Sequence, residues 1–174
     1  MPRASTNLPT NEYNARFSRP TSARLAILQK LLGAVGERVH SEPTFRCEFG
    51  QNIDIGNNFH ANLDCVMLDG GGISIGDDVL LAPRGGIYTT HHAIDPKERA
   101  AGTCHARPVR IGDRVWIGAG VQINPGVVIG DGSIGPGSTV TKDVQAGVIA
   151  AGVPRRLLRS IEERGRVGFD PDQF

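Results

Sequence analysis

His91 and His92 stand side by side in a segment, residues 88–110, that also carries Asp95, Glu98, Arg99 and His105. Imidazole titrates near neutrality, so such a ring can take a proton from a poorly nucleophilic hydroxyl and give it up again. With His60 added, the imidazoles also suffice for a second chemistry, in which three of them hold a metal ion that activates water. Cys47, Cys65 and Cys104 are odd in number and lack a Cys-x-x-Cys spacing, which argues against a disulfide framework or a zinc knuckle and for reduced thiols.

The scaffold that must position these side chains is written as a six-residue beat. A small or aliphatic residue returns at Phe49, Ile55, Ala61 and Met67, again at Ile75, Leu81 and Ile87, and after a gap at Ile111, Ile117, Ile123 and Ile129. Gly follows many of them, as in Ile55-Gly56 and Ile117-Gly118, and self-similarity of this short period marks a repeat architecture. The expected fold is mainly β, a left-handed parallel β-helix in which three repeats make a coil of about 18 residues. Two steps break the beat: eight residues from Met67 to Ile75 through Asp69-Gly70-Gly71-Gly72, and five from Ile129 to Ile134. The first predicts a small bulged loop and the second a tightened corner, because an uncompensated deletion would turn side chains inside out.

Residues 1–20 are polar, Pro-punctuated and without period, and predict a flexible N-terminal arm. Residues 21–38 carry Leu25, Leu28, Leu32 and Val35 at helical spacing up to Gly36 and predict an amphipathic helix. The β-helix would occupy 39–153, interrupted by an extended loop at 88–110. In 154–174, Leu157, Leu158 and Ile161 regain helical spacing, which predicts a C-terminal helix and tail capping the last coil. At 174 residues, one domain with terminal accessories is expected. The 19 basic and 18 acidic residues create no field that would draw nucleic acid or an anionic membrane. No apolar run of membrane-spanning length and no signal core occurs, so a cytoplasmic protein is expected.

Longer stretches carry a more specific pattern. Phe45-Arg46-Cys47-Glu48-Phe49-Gly50, Asn52-Ile53-Asp54-Ile55-Gly56 with Ala61-Asn62, Thr89-Thr90-His91-His92-Ala93-Ile94-Asp95-Pro96, Val115-Trp116-Ile117-Gly118, Val140-Thr141-Lys142-Asp143 and Ala150-Ala151-Gly152-Val153-Pro154 follow one another in order. Together they resemble the maltose and galactoside O-acetyltransferase family over about residues 21–160. The resemblance implies acetyl transfer from acetyl-CoA, the co-substrate, to a hydroxyl of a sugar or sugar-like acceptor. It implies a homotrimer with its sites between subunits, and no resident metal.

Residue by residue, the resemblance places the catalytic imidazole at His92, with His91 a bystander. Asn62 falls where a family Asn faces the acceptor and the catalytic His, and an amide there can donate to a developing oxyanion. Glu48 stands where the family places an Asp that binds the acceptor, and Arg99 either contacts substrate or braces the loop through Asp95 or Glu98. On the donor side, Trp116 corresponds to an indole against the pantetheine arm, and the backbone at Ala119 and Pro136 lines the pantetheine channel. Pro136 has no N–H to donate there. Thr141, Lys142, Arg156 and Arg159 correspond to residues that meet the CoA nucleotide and phosphates, which suit basic side chains. No Ser or Cys lies in a motif that favours an acyl-enzyme, so direct transfer in a ternary complex is expected.

The departures cluster on the acceptor side. A family helix that closes over the acceptor would precede Tyr13-Asn14, where this chain has about a dozen polar residues, so that helix is expected to be missing. His60 replaces a common aromatic, and Gly70 replaces a second Asp of some members. An acceptor other than a sugar, such as an antibiotic hydroxyl, is the alternative within this chemistry. A metal hydratase like the γ-type carbonic anhydrases, built from His60, His91, His92 and His105, and a non-catalytic repeat scaffold are the alternatives outside it.

Overall fold

A computed structural model describes residues 7–15 and 21–161. Short parallel strands stack into three sheets that form the faces of a triangular prism, a parallel β-solenoid. The first sheet stacks Ala34–Val35, Ile53–Ile55, Ile73–Ile75, Val109–Ile111 and Val128–Ile129. The second stacks His40–Ser41, His60–Ala61, Leu80–Leu81, Trp116–Ile117, Gly132–Ile134 and Val148–Ala151. The third stacks Phe45–Cys47, Cys65–Leu68, Gly86–Tyr88, Gln122–Ile123 and Thr139–Val140.

The six-residue beat is the inward register of this stack. Ile55, Ile75, Ile111 and Ile129 line one column, Ala61, Leu81, Ile117 and Ile134 a second, and Met67, Ile87, Ile123 and Val140 a third, all buried. Phe49 is the exception, half-buried in a corner, because Cys47 takes the inward register opposite Met67. Around the expected bulge the coils are 20 residues long, with Asp54 opposite Ala34 and Ser74 opposite Asp54. The two extra residues sit in the corner between the third and first sheets. At the five-residue step the corner is tight, and Ile134 recovers the inward register opposite Ile117.

A polar ladder holds the corner between the first and second sheets. Asn57 Oδ1 accepts from the Glu37 N–H, Asp77 Oδ1 from the Asn57 N–H and Asp113 Oδ1 from the Asp77 N–H. Each carboxylate or amide thus satisfies a turn amide of the coil beneath it. The stacked glycines there leave no room for a side chain: a methyl group on Gly56 would lie 2.7 Å from the Gly76 carbonyl carbon.

The ends differ from the expectation in three places. Residues 7–15 form helix α1 (Asn7–Ala15) where a flexible arm was expected, while residues 1–6, where the missing family helix would have begun, lie outside the described residues. It is pinned because Asn14 imitates a strand: its Nδ2–H donates to the Phe45 carbonyl and its Oδ1 accepts from the Phe45 N–H. Tyr13, fully buried, donates its hydroxyl to the Ser41 carbonyl. Helix α2 (Thr21–Leu31) is shorter than the expected 21–38, since the Gly33 N–H bonds to the Ile53 carbonyl and the sheet ladder takes over from helical bonding. Its buried Leu28 and Leu31, with Leu32 just beyond it, plug the first coil, and the buried Arg24 lies 3.6 Å from Glu42 Oε2. A hydrogen bond from His40 holds the Glu42 carboxyl below its ordinary range.

The third difference is at the C-terminal end, where the strand Arg156–Ser160 replaces the expected helix and pairs antiparallel with Val148–Ala151. Its side chains are all exposed, Leu157 and Leu158 included, so there is no buried stripe to stabilise a helix this short. The unpaired edge of the last strand offers backbone hydrogen bonds instead. The rest of the expected helix and tail, 162–174, lies outside the described residues.

The close stacking at Gly56 sets an expectation. Gly56→Ala should destabilise the fold by about 1–3 kcal/mol, the usual cost of overpacking, in reversible denaturation, whereas an unchanged midpoint would show that this corner can yield.

Candidate functional site

The loop leaves the solenoid at the corner between the third and first sheets as a two-stranded antiparallel ribbon, Thr90–His92 against Cys104–Ala106. At its tip is helix α3 (Pro96–Ala100). Asp95 caps that helix, its Oδ1 accepting from the N–H groups of Lys97 and Glu98, and Pro96 opens the first turn where no N–H is needed. Arg99 does brace the loop, though through neither Asp95 nor Glu98. Its guanidinium donates to the carbonyls of Ala93 and Ile94, both at 2.9 Å. The side chain is committed within the loop.

His92 is exposed on this ribbon and its ring makes no hydrogen bond among the described residues. It borders a groove of about 410 Å³ shared with His91, Asp95, Glu98, His105 and Arg107. Glu48 belongs to the same corner. A methyl group on Gly70 would lie 3.3 Å from Glu48 Oε2 and 2.6 Å from Thr90 Cγ2, so the Glu48 carboxylate and Thr90 fill the space a larger residue 70 would use. Glu48 therefore sits at the foot of the strand that carries His92.

Two buried polar residues that sequence reasoning did not select hold this corner. Asp69, fully buried, accepts from the N–H groups of Glu48 (3.0 Å) and Phe49 (2.8 Å). Thr89, also fully buried, donates its hydroxyl to the Leu68 carbonyl and accepts from the Gly71 N–H. No local pattern marks them, because each bonds backbone groups of the neighbouring coil, between 18 and 21 residues away in sequence.

Asn62 lies on a different edge, the corner between the second and third sheets, and is not part of the His92 groove. Its Oδ1 accepts from the Leu63 N–H and its carbonyl accepts from the Cys65 thiol. Burial pushes the Cys65 thiol up to about 11, and burial followed by the Asp69 charge pushes the Cys47 thiol up to about 12. Both are poor nucleophiles at neutral pH.

Of the residues expected to hold the donor, Trp116, Ala119 and Pro136 extend up from Asn62. Trp116 points outward from the second sheet, 49% exposed, beside the equally exposed Leu80 (51%). Ala119 and Pro136 follow on the same corner as Asn62, two and three coils above Leu63. The Ala119 N–H has no acceptor among the described residues. Arg159 is opposite Ile149 and Arg156 opposite Ala151. Because Ile149 is in register with Ser133, and Ser133 with Trp116, Arg159 shares the outward face with the indole, about 14 Å away at strand spacing. The strand thus presents both arginines where a helix was expected to. Thr141 and Lys142 are exposed on the loop's own edge, in a turn that the Arg155 guanidinium holds through the carbonyls of Lys142 and Asp143.

The imidazoles do not gather. His60 stacks on His40 at 5.3 Å, and His91 faces His105 at 5.5 Å. Among the described residues of one chain no three His, Cys, Asp or Glu side chains meet with metal-ligand geometry. No described helix is long and apolar enough to cross a membrane.

Residues 108–142 match the family described as bacterial transferase hexapeptide (six repeats). The chain is 41% identical over 156 residues to the galactoside O-acetyltransferase of Escherichia coli, covering 89% of this chain and 77% of that protein. Among solved structures, it is 46% identical to a maltose O-acetyltransferase from Clostridium difficile, with a TM-score of 0.87 over 90% of this chain and 84% of that one. It is 38% identical to a hexapeptide-repeat acetyltransferase from Vibrio cholerae complexed with acetyl coenzyme A, with a TM-score of 0.88 over 92% and 87% of the two chains.

The role of Arg99 is open to measurement. Arg99→Ala should speed amide exchange across residues 93–103 at least about tenfold, the cost of two lost hydrogen bonds, while the global denaturation midpoint stays in place. Unchanged exchange in the loop would show that the brace is not needed.

Proposed function

Since the chain belongs to the hexapeptide-repeat acetyltransferases of the galactoside and maltose O-acetyltransferase type, we propose that it transfers acetyl from acetyl-CoA to a hydroxyl of a sugar or sugar-like acceptor, with His92 as general base. The observation that carries the reading is His92 itself, exposed at the rim of the loop groove with its ring uncommitted, and with the Glu48 carboxylate at the foot of its strand.

His92 takes the proton of the acceptor hydroxyl as that oxygen attacks the thioester carbonyl carbon, and returns it to the sulfur as the C–S bond breaks. Glu48 accepts a hydrogen bond from the acceptor, and the Asn62 amide donates to the oxygen on which charge develops. Acetyl-CoA supplies the activated acyl group. The residues on and beside the second sheet fit its shape: Trp116 and Leu80 offer an apolar platform, the Ala119 N–H is unsatisfied among the described residues, and Arg156 and Arg159 supply cations at the far end, while Lys142 would meet the phosphates from the His92 edge of the neighbouring copy. Arg99 holds the loop in shape and leaves substrate contact to the others.

His92 with Glu48 and Asn62 with Trp116 lie on two different edges of one prism. A complete site therefore joins the His92 edge of one copy to the Asn62 edge of the next. Such a head-to-tail contact is heterologous, and three copies around an axis close it into the homotrimer that a triangular prism suits.

Thiol release from acetyl-CoA, measured against a panel of sugars, aminoglycosides and antibiotic alcohols, identifies the acceptor. His92→Ala should lower kcat about 10²–10⁴-fold while calorimetric CoA binding is retained; turnover within tenfold of the parent protein would sink the base assignment. Arg159→Ala should raise KM for acetyl-CoA about tenfold with kcat nearly unchanged, as expected for uniform phosphate binding, and an unaltered KM would remove Arg159 from the donor site.

A further inference from the structure

His91 and His105 are left over by the proposed chemistry, yet the loop puts them together. They are directly opposite each other on the antiparallel ribbon, with both rings exposed. The bonds from the Arg107 N–H to the Thr89 carbonyl and from the Ala93 N–H to the Thr103 carbonyl flank them symmetrically. Successive residues alternate faces, so this pair occupies one side of the ribbon and His92 with Cys104 the other.

The spacing of the rings suits an ion between them. An ion about 2.0–2.1 Å from a ring nitrogen lies about 3.2 Å from the ring centre, and two such rings at a tetrahedral angle have centres about 5.2 Å apart. The His91 and His105 centres are 5.5 Å apart with the rings tilted by 32°. Asp95 and Glu98 border the groove on this side of the ribbon, at whose rim His92 stands. Asp95 Oδ1 is occupied by the cap of α3, whereas Glu98 has no side-chain hydrogen bond among the described residues. Arg107, also on the groove, is the one cation facing the pair among the groove's lining residues, and its stem is drawn aside against Gly126.

We propose that His91 and His105 form a two-imidazole site for a divalent ion of the zinc, nickel and copper class, which clamps the two strands of the loop together from the side away from His92. Imidazole prefers such ions over magnesium or calcium, and water completes the coordination. The ion is a brace for the loop and takes no part in acetyl transfer.

Untagged protein titrated with Zn²⁺ by calorimetry at neutral pH should bind one ion per chain. Affinity should fall at least about tenfold in both His91→Asn and His105→Asn, and stay unchanged in His92→Ala. Each variant is first checked for the parent's circular dichroism and thermal midpoint without metal, which separates loss of a ligand from loss of the fold. Co²⁺ bound to the parent protein should show d–d bands without a thiolate charge-transfer band. Wild-type affinity in either Asn variant, loss of binding in His92→Ala, a thiolate band from Cys104, or no saturable binding below millimolar Zn²⁺ would each overturn the site. The readout is independent of turnover, so the result does not depend on the proposed role of His92.

Discussion

Each coil must land on the one beneath it at hydrogen-bonding distance with its beat residue turned inward. That constraint governs the rest of the molecule. Ile55, Ile75, Ile111 and Ile129 can stack only if the chain between them closes a triangle of matching circumference. Variation is thereby driven to the corners, where residues can be added without moving the strands. The three corners have separate duties. The first carries the Asn57, Asp77 and Asp113 ladder and, one coil higher, the shortened step to Ile134, the second displays Asn62 and Ala119, and the third absorbs extra residues and finally a whole loop.

The middle of the chain was more legible in sequence than its ends, for a physical reason. A period imposed by stacking is repeated many times, so the inward residues from Ile55 to Ile129 declare themselves even with two irregular steps. The ends are decided by single events. Asn14 bonding both backbone groups of Phe45 makes α1 part of the fold, and nothing in a polar, Pro-punctuated sequence announces that pairing. The spacing of Leu157, Leu158 and Ile161 satisfied a helical pattern, but a free strand edge next to the chain competed for the same residues and won. Phe49 misled for a related reason: an eight-residue step between Cys47 and Ile55 shifts the phase, and the second eight-residue step, at Gly70, was the better guide.

The site shows the same division. His92, Asn62 and Trp116 were singled out from motif residues, and the structure leaves His92 exposed on the loop ribbon, Asn62 half-buried at a corner and Trp116 exposed on the second sheet. What sequence could not supply was the support, because Asp69 and Thr89 act on backbone amides that carry no residue identity. Nor could it show that the Glu48 carboxylate and Thr90 occupy the space beside Gly70, which depends on residues from three separate coils. The separation of His92 and Asn62 onto two edges is likewise a property of the triangle. Under the proposed chemistry it makes assembly a condition of turnover.

The pairing of Asn14 with Phe45 has a consequence for the molecule as a polymer. A parallel solenoid is in principle endless, since its first coil presents the same open hydrogen-bonding groups that every later coil fills. Phe45 lies on the outermost strand of the third sheet, where another chain could dock and extend the stack. One carboxamide occupies the donor and acceptor that such a docking strand would need there. At that strand, a single side chain helps make the stack a finite particle instead of the beginning of a fibre.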